Sequence, residues 1–217
     1  MGGVRCTWQD RMEPESALEK VAGSPITDIG ATLLAAFSGN PVAALLPSLA
    51  GALASERHKQ RVENAIREIG ALLRANETRV RQISDAQYKI INESVLALFQ
   101  TVEQRKIEYL KNVISRTLFL QDSAILEADA LSRVLRDISA AEARFLLDNA
   151  DAAAIQIAGP GIAPQPHVHF IKSDSPEVLI VSGLMAMGLL LPGDPTWDAP
   201  NRMIFSPICK KLRELLS

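Results

Sequence analysis

Histidine, cysteine and a Gly-Pro-Gly turn supply the residues of this 217-residue chain that could do chemistry. The alternate spacing of His167-Val168-His169 sets two imidazoles on one face of a strand, a geometry able to serve a metal ion. A third ligand would have to come from Asp174, Cys209 or a neighbour. No spacing points to one, so a plain surface strand is the expectation. His58 stands among Arg57, Lys59 and Arg61, which reads as a solvated basic turn. Cys6 and Cys209 lie at opposite ends with no CxxC spacing, a usage suited to a reducing cytoplasm. Neither has a His or acid companion, and no Gly-x-Ser-x-Gly elbow is present. Gly159-Pro160-Gly161 lacks the following Lys-Ser/Thr of a phosphate loop and opens no helix. The carboxylates fall on charged helix faces, where a solvated role is expected. The chain is therefore expected to be non-enzymatic, with no catalytic residue, metal set, cofactor or small-molecule substrate.

Composition narrows the partners. Hydrophobic residues make up 47% and aromatics 5%, and the apolar content is mostly Ala and Leu, which favours helix. A formal net charge of −2 gives no overall reason to expect nucleic acid or anionic lipid. The first residues contain no apolar run of signal-peptide type, and Met-Gly-Gly-Val-Arg-Cys lacks the Ser or Thr that a myristoylation signal wants at position 6. Residues 1–12 read as a disordered tail. Helix-compatible sequence begins just after Met12, which makes Met12 a candidate start of translation beside Met1.

The elements come next. Between Asp28 and Glu56, residues 29–55 contain no ionisable side chain but three glycines and two prolines. Ser24-Pro25 and Asn40-Pro41 are both helix starts, with a cap followed by proline at the first helical position. The segment 25–54 thus reads as an apolar helical hairpin. Each arm is about 20 Å long at 1.5 Å per residue, too short to span a bilayer core of about 30 Å. Leu33, Leu34, Phe37, Leu45, Leu46 and Leu49 are its candidate membrane or partner contacts. Arg57, Lys59 and Arg61 follow directly as a candidate basic anchor on the cytoplasmic side, against the plainer reading of a solvated helix face.

Residues 56–75 carry Val62, Ile66, Ile69 and Leu73 at helical spacing. Ser84-Asp85-Ala86-Gln87 and Thr101-Val102-Glu103-Gln104 have capping-box form. The first opens a helix with Tyr88, Ile91, Val95, Leu98 and Phe99, the second one with Ile107, Leu110, Val113, Ile114 and Leu118. Short turns between amphipathic helices indicate an antiparallel bundle. A helix is expected over 124–136, and another from the capping box Ser139-Ala140-Ala141-Glu142 to about Asn149. Strand-capable pieces follow at 154–157 and 168–171. Ser175-Pro176 caps a very apolar helix, 189–191 and 203–205 form a hairpin, and Ser206-Pro207 starts a last helix to Leu216.

This order predicts a mainly α protein. An N-terminal apolar hairpin packs in an antiparallel helical bundle over 13–121, and a C-terminal α+β domain of winged-helix type covers 122–217. A DNA-reading helix presents Arg, Lys, Asn or Gln. The helix in that place, 176–187, has no basic residue and is expected to be buried rather than to face phosphate.

The segments Leu131-Ser132-Arg133-Val134-Leu135-Arg136-Asp137-Ile138-Ser139-Ala140-Ala141-Glu142-Ala143, then 184–191, then Phe205-Ser206-Pro207 resemble the Abi-alpha family. These are bacterial helical proteins associated with abortive infection, and the resemblance runs over roughly 56–217. It implies a phage-defence association and carries over no catalytic residue. The expectation is a bacterial interaction protein with a protein partner or self-association, cytoplasmic or peripheral to the inner membrane. One alternative is a membrane-perturbing effector that inserts the hairpin 25–54 when triggered. A second is a winged-helix DNA-binding regulator.

Overall fold

The computed structural model describes residues 56–120, 125–158, 165–193 and 201–217. Their helices are α1 (Glu56–Ala75), α2 (Glu77–Val80), α3 (Asp85–Gln100), α4 (Gln104–Thr117), α5 (Ile125–Asp137) and α6 (Ala140–Asp148). Strands β1 (Ala154–Ala158) and β2 (Val168–Lys172) precede α7 (Glu177–Ala186), and β3 (Leu190–Pro192) and β4 (Arg202–Phe205) lead into α8 (Pro207–Leu216). The protein is mainly helical, with a small mixed sheet towards its C-terminus. The tail at 1–12 and the apolar hairpin at 25–54 lie outside the described residues.

Helical periodicity placed the core. Val62, Ile66, Ile69 and Leu73 of α1 are all buried, as are Ile107, Leu110, Val113 and Ile114 of α4. Helix α4 is central: α1, α3, α6 and α8 all pack against it. Glu93–Arg136 and Lys89–Asp129 ion pairs advance in the same sense along α3 and α5, so these two helices run parallel and pack directly on each other. Helix α8 runs antiparallel to α4, since Asn112 Nδ2 donates to the Leu216 carbonyl and Arg116 to that of Glu214, each at 3.1 Å. Buried apolar side chains from Val62 to Leu216 form one connected cluster.

Two of the expected capping boxes form. The Ser84 hydroxyl accepts from the Gln87 N–H while the Gln87 side chain accepts from the Ser84 N–H, and Ser139 and Glu142 do the same. The third does not. Helix α4 begins at Gln104 with Glu103 as a cap that makes no side-chain bond. Thr101 instead accepts from the Glu103 N–H at 3.2 Å, a local turn that competes with capping. The Gln104 amide, which would have closed the box, donates to Glu108 at 2.9 Å. At α7, Ser175 likewise accepts from Glu177 N–H at 3.3 Å in a local turn, and Pro176 makes no side-chain cap bond. Helix α8 starts as expected, with Ser206 accepting from Cys209 N–H and Pro207 in the first turn.

The sheet has the order β2-β1-β4-β3, with β1 parallel to β2 and antiparallel to β4. Met203, Ile155 and His169 share a row that faces inward, and Leu190 lies opposite Phe205 on the same side. The neighbouring row, Leu191, Ile204, Ala154 and Val168, faces the other way. Arg213 fastens this region to the helices. Its guanidinium lies 4.1 Å from the Phe205 ring centroid, and it donates to the carbonyls of Asn149 (3.3 Å) and Ala150 (2.8 Å) just after α6, where cations are favoured.

Gln87 has a second task. Its Nε2 donates to the carbonyls of Thr117 (2.8 Å) and Leu120 (3.0 Å), closing the C-terminal end of α4. Gln87→Leu is expected to lower unfolding free energy by about 2–3 kcal/mol, because the Leu120 carbonyl loses its side-chain donor and that of Thr117 keeps only the Leu120 N–H. Ser84→Ala, which removes only the local cap, should cost about 1 kcal/mol. Urea unfolding of both variants checks this, and equal losses would contradict the double role of Gln87.

Candidate functional site

The six candidate contacts of the apolar hairpin, Leu33, Leu34, Phe37, Leu45, Leu46 and Leu49, lie outside the described residues. Arg57, Lys59 and Arg61 fall in the first two turns of α1. Arg57 and Arg61 are exposed and one turn apart, so they share a face; Lys59 is half-buried and projects elsewhere. His58 is not on a solvated turn. It is helical and only 6% exposed. Among the described helices, none is long and apolar enough to cross a membrane.

The histidine pair separates. His167 precedes β2 in a left-handed conformation (φ 60°) and is exposed, which breaks the alternation that would have put both rings on one face. His169 is half-buried, its ring edge-on to Phe145 at 5.8 Å and 85°. Among the described residues no group of three His, Cys, Asp or Glu side chains is placed to hold a metal. Asp174 is exposed, while Cys209 is fully buried in α8.

The perturbed ionisable groups serve packing. Burial pushes the Cys209 thiol up, against the pull of the Arg213 guanidinium beside it. Burial draws Lys106 below the usual lysine range, partly offset by Glu103, Asp137 and Glu142, while its ammonium donates to the Arg136 carbonyl at 2.8 Å near the end of α5. For Lys111, burial also acts downward, but hydrogen bonds to Glu108 and Glu68 outweigh it and raise the group. The Glu68 contact ties α1 to α4.

Surface chemistry gathers instead on α7. Residues 178–193 contain no ionisable side chain. The inner side of α7, Val181 and Leu184, is fully buried, and α6, β2 and β3 pack against the helix. Its C-terminus closes by a left-handed Gly188 (φ 70°), with Leu189 N–H donating to the Leu184 carbonyl and Gly188 N–H to that of Met185, each at 2.9 Å. This turn delivers the chain into β3. The outer side is open: Leu179 is 76% and Met185 39% exposed, with Ser182 and Ala186 exposed among them. On the following hairpin, Leu191 (40%) and Ile204 (42%) face each other across β3 and β4 and are also exposed.

The expectation that this helix is buried is therefore corrected. Among the described residues it has neighbours on one side only, so an apolar sequence all round leaves an apolar outer face. Sequence reading missed this because both faces carry the same residue types, and periodicity has nothing to distinguish. Leu96, Val102, Phe119 and Leu126 are exposed too, but on other elements, and Phe119 is covered by the Arg79 guanidinium at 4.5 Å. Apolar side chains scattered singly are ordinary; several on one helix face are not.

No protein-family model, curated protein or solved structure matches this chain. Its own residues carry the functional reading.

Two measurements follow from this region. A Cβ at Gly183 would stand 2.0 Å from Glu142 Oε1, so α7 reaches α6 closely enough to touch its capping carboxylate. Gly183→Ala is expected to be near neutral, because roughly 1 kcal/mol of helix propensity is offset by displacement of that carboxylate. In a Glu142→Ala background the same change should stabilise by about 1 kcal/mol, so a double-mutant cycle reads the coupling. Additive effects would mean the carboxylate moves aside freely. Second, Cys209 is expected to resist iodoacetamide at pH 8 until the protein unfolds, since the thiolate is the reactive form. Peptide mapping by mass spectrometry, which separates Cys209 from Cys6, checks it; native-state labelling of Cys209 at a free-thiol rate would be the contrary result.

Proposed function

We propose that this chain is a non-enzymatic bacterial interaction protein, whose α7 and β3–β4 hairpin form a docking module of winged-helix type. The outer face of α7 carries the proposal. In a winged helix that reads DNA, the helix before the hairpin offers basic and amide side chains to phosphates and base edges. Here that position offers Leu179, Ser182, Met185 and Ala186, groups that suit an apolar protein surface. The pairing of β1 with the β4 arm of the hairpin, and the place of α7 immediately before it, support the winged-helix comparison. The resemblance of 131–143, 184–191 and 205–207 to the Abi-alpha family supports a setting in phage-infected cells.

Leu179→Glu is the discriminating variant, with Leu126→Glu as the control at an equally exposed leucine of α5. Association of the purified or cell-expressed chain, with itself or a partner, is expected to be lost in the first and kept in the second. Association unaffected by Leu179→Glu, or DNA binding that weakens steeply with salt, would overturn the docking role. The defence setting is checked by phage yield: cells expressing the chain should release fewer progeny, and an unchanged yield would remove it.

A further inference from the structure

We infer that the outer face of α1 docks on a bilayer surface of anionic phospholipid, held by charge and without insertion. The inference is independent of the α7 face and concerns a different element. It starts from where the cations fall. Residues 56–81 carry seven Lys or Arg against four Glu, in a chain whose net charge is −2. Positive charge is therefore gathered locally.

The helix sorts these cations. Arg57, Arg61, Asn64, Arg67, Ala71 and Arg74 follow one another at steps of three or four residues, and all are exposed. Val62, Ile66, Ile69 and Leu73 on the opposite side are buried and fix the rotation of α1. The exposed residues form a crest about 25 Å long at 1.5 Å per residue. Lys59 lies between Arg57 and Arg61 in sequence, but it is half-buried and off the crest. Arg67 is positioned on it, since its Nη1 donates to Asn64 Oδ1 at 3.1 Å. Among the described residues no carboxylate pairs with Arg57, Arg61 or Arg67. The arginines that follow on and after α2 are engaged instead, Arg79 over the Phe119 ring and Arg81 with Glu77.

A row of guanidinium groups suits a polyanion, and the flanks of the crest decide which. Glu63 is half-buried beside it, and Glu68 turns to Lys111 of α4. In a nucleic-acid groove phosphates line both walls around a bound helix, so these carboxylates would face them. A flat layer of headgroups meets only the crest. Each Arg or Lys near an anionic bilayer adds its own small attraction without a shaped pocket, which suits arginines spread along a rod. The uncharged residues 29–55 lead directly into this helix in sequence. An apolar stretch followed by cations is the order found at the cytoplasmic side of membranes.

Co-sedimentation of the full chain with vesicles tests this. Binding is expected to mixed phosphatidylcholine–phosphatidylglycerol vesicles and not to phosphatidylcholine alone. It should vanish near about 1 M salt, where the screening length falls to about 3 Å. Arg61→Gln and Arg67→Gln should each weaken partition about fivefold, with helical circular dichroism unchanged. Lys59→Gln should weaken it by less than about twofold, because its charge stands off the contact line. Leu179→Glu should leave it unchanged. If Lys59→Gln were as damaging as Arg67→Gln, the crest would not be the contact and the inference would fail. Binding to phosphatidylcholine alone that Leu33→Asp abolishes would overturn it in favour of the N-terminal apolar segment. A chain that ignores anionic vesicles overturns it outright, and Arg61-dependent binding of RNA or duplex DNA would then assign the crest to nucleic acid.

Discussion

Gln87 holds together two helix ends that meet only in the folded chain. Its side-chain oxygen accepts from the Ser84 N–H at the start of α3, and its nitrogen donates to the Thr117 and Leu120 carbonyls at the end of α4. Both sets of groups are orphans of helix geometry: the first N–H groups and the last carbonyls have no partner within their own helix. Gln87 is only 7% exposed, so water is a poor substitute for either set. One neutral amide, with a donor and an acceptor end, solves both problems where they coincide. A charged side chain could satisfy one end but would be costly at such depth.

The position of α4 gives this junction its reach. With α1, α3, α6 and α8 packed around it, α4 is the helix on which the others take their bearings. Its carbonyl end is set by Gln87. Its opposite end is near Lys106, whose ammonium reaches the last turn of α5. The C-terminal region joins the bundle through α8, which lies along α4 and α5, and through Arg213, which reaches from α8 to Phe205 and to the residues after α6. The sheet and α7 are therefore held by helices rather than by strand pairing alone. That arrangement leaves the far side of α7 without a neighbour among the described residues.

What could be read beforehand was local. The stripe Val62, Ile66, Ile69 and Leu73 and the pairs Ser84–Gln87 and Ser139–Glu142 are spaced within one helix, where residue order and spatial order agree. What could not be read depended on contacts distant in sequence or on competition between local bonds. Gln87 meets Thr117 thirty residues away, and no pattern in the chain marks it as more than a cap. Thr101 has the right spacing for a capping box, but its hydroxyl binds two residues on and Gln104 turns to Glu108. The two histidines alternate in sequence, yet the left-handed backbone at His167 takes one of them off the strand. His58 looks solvated among basic neighbours, but helical rotation directs successive side chains to different sides.

Helix α7 shows where hydrophobic patterning loses its power. A helix with one apolar stripe states which side is inside; a helix apolar all round states only that it wants contact. Its tertiary neighbours supply that contact along Val181 and Leu184. The left-handed Gly188 fixes the direction of departure into β3, and Gly183 permits a close approach to α6, so rotation about the helix axis would lose both. The outer stripe is thus held in place by constraints on the inner one. An uncharged surface kept at a fixed orientation by buried neighbours is a preorganised surface, and preorganisation lowers the ordering cost of association. The same lack of charge that makes α7 a poor reader of phosphate removes the cost of ion burial wherever an apolar surface covers it.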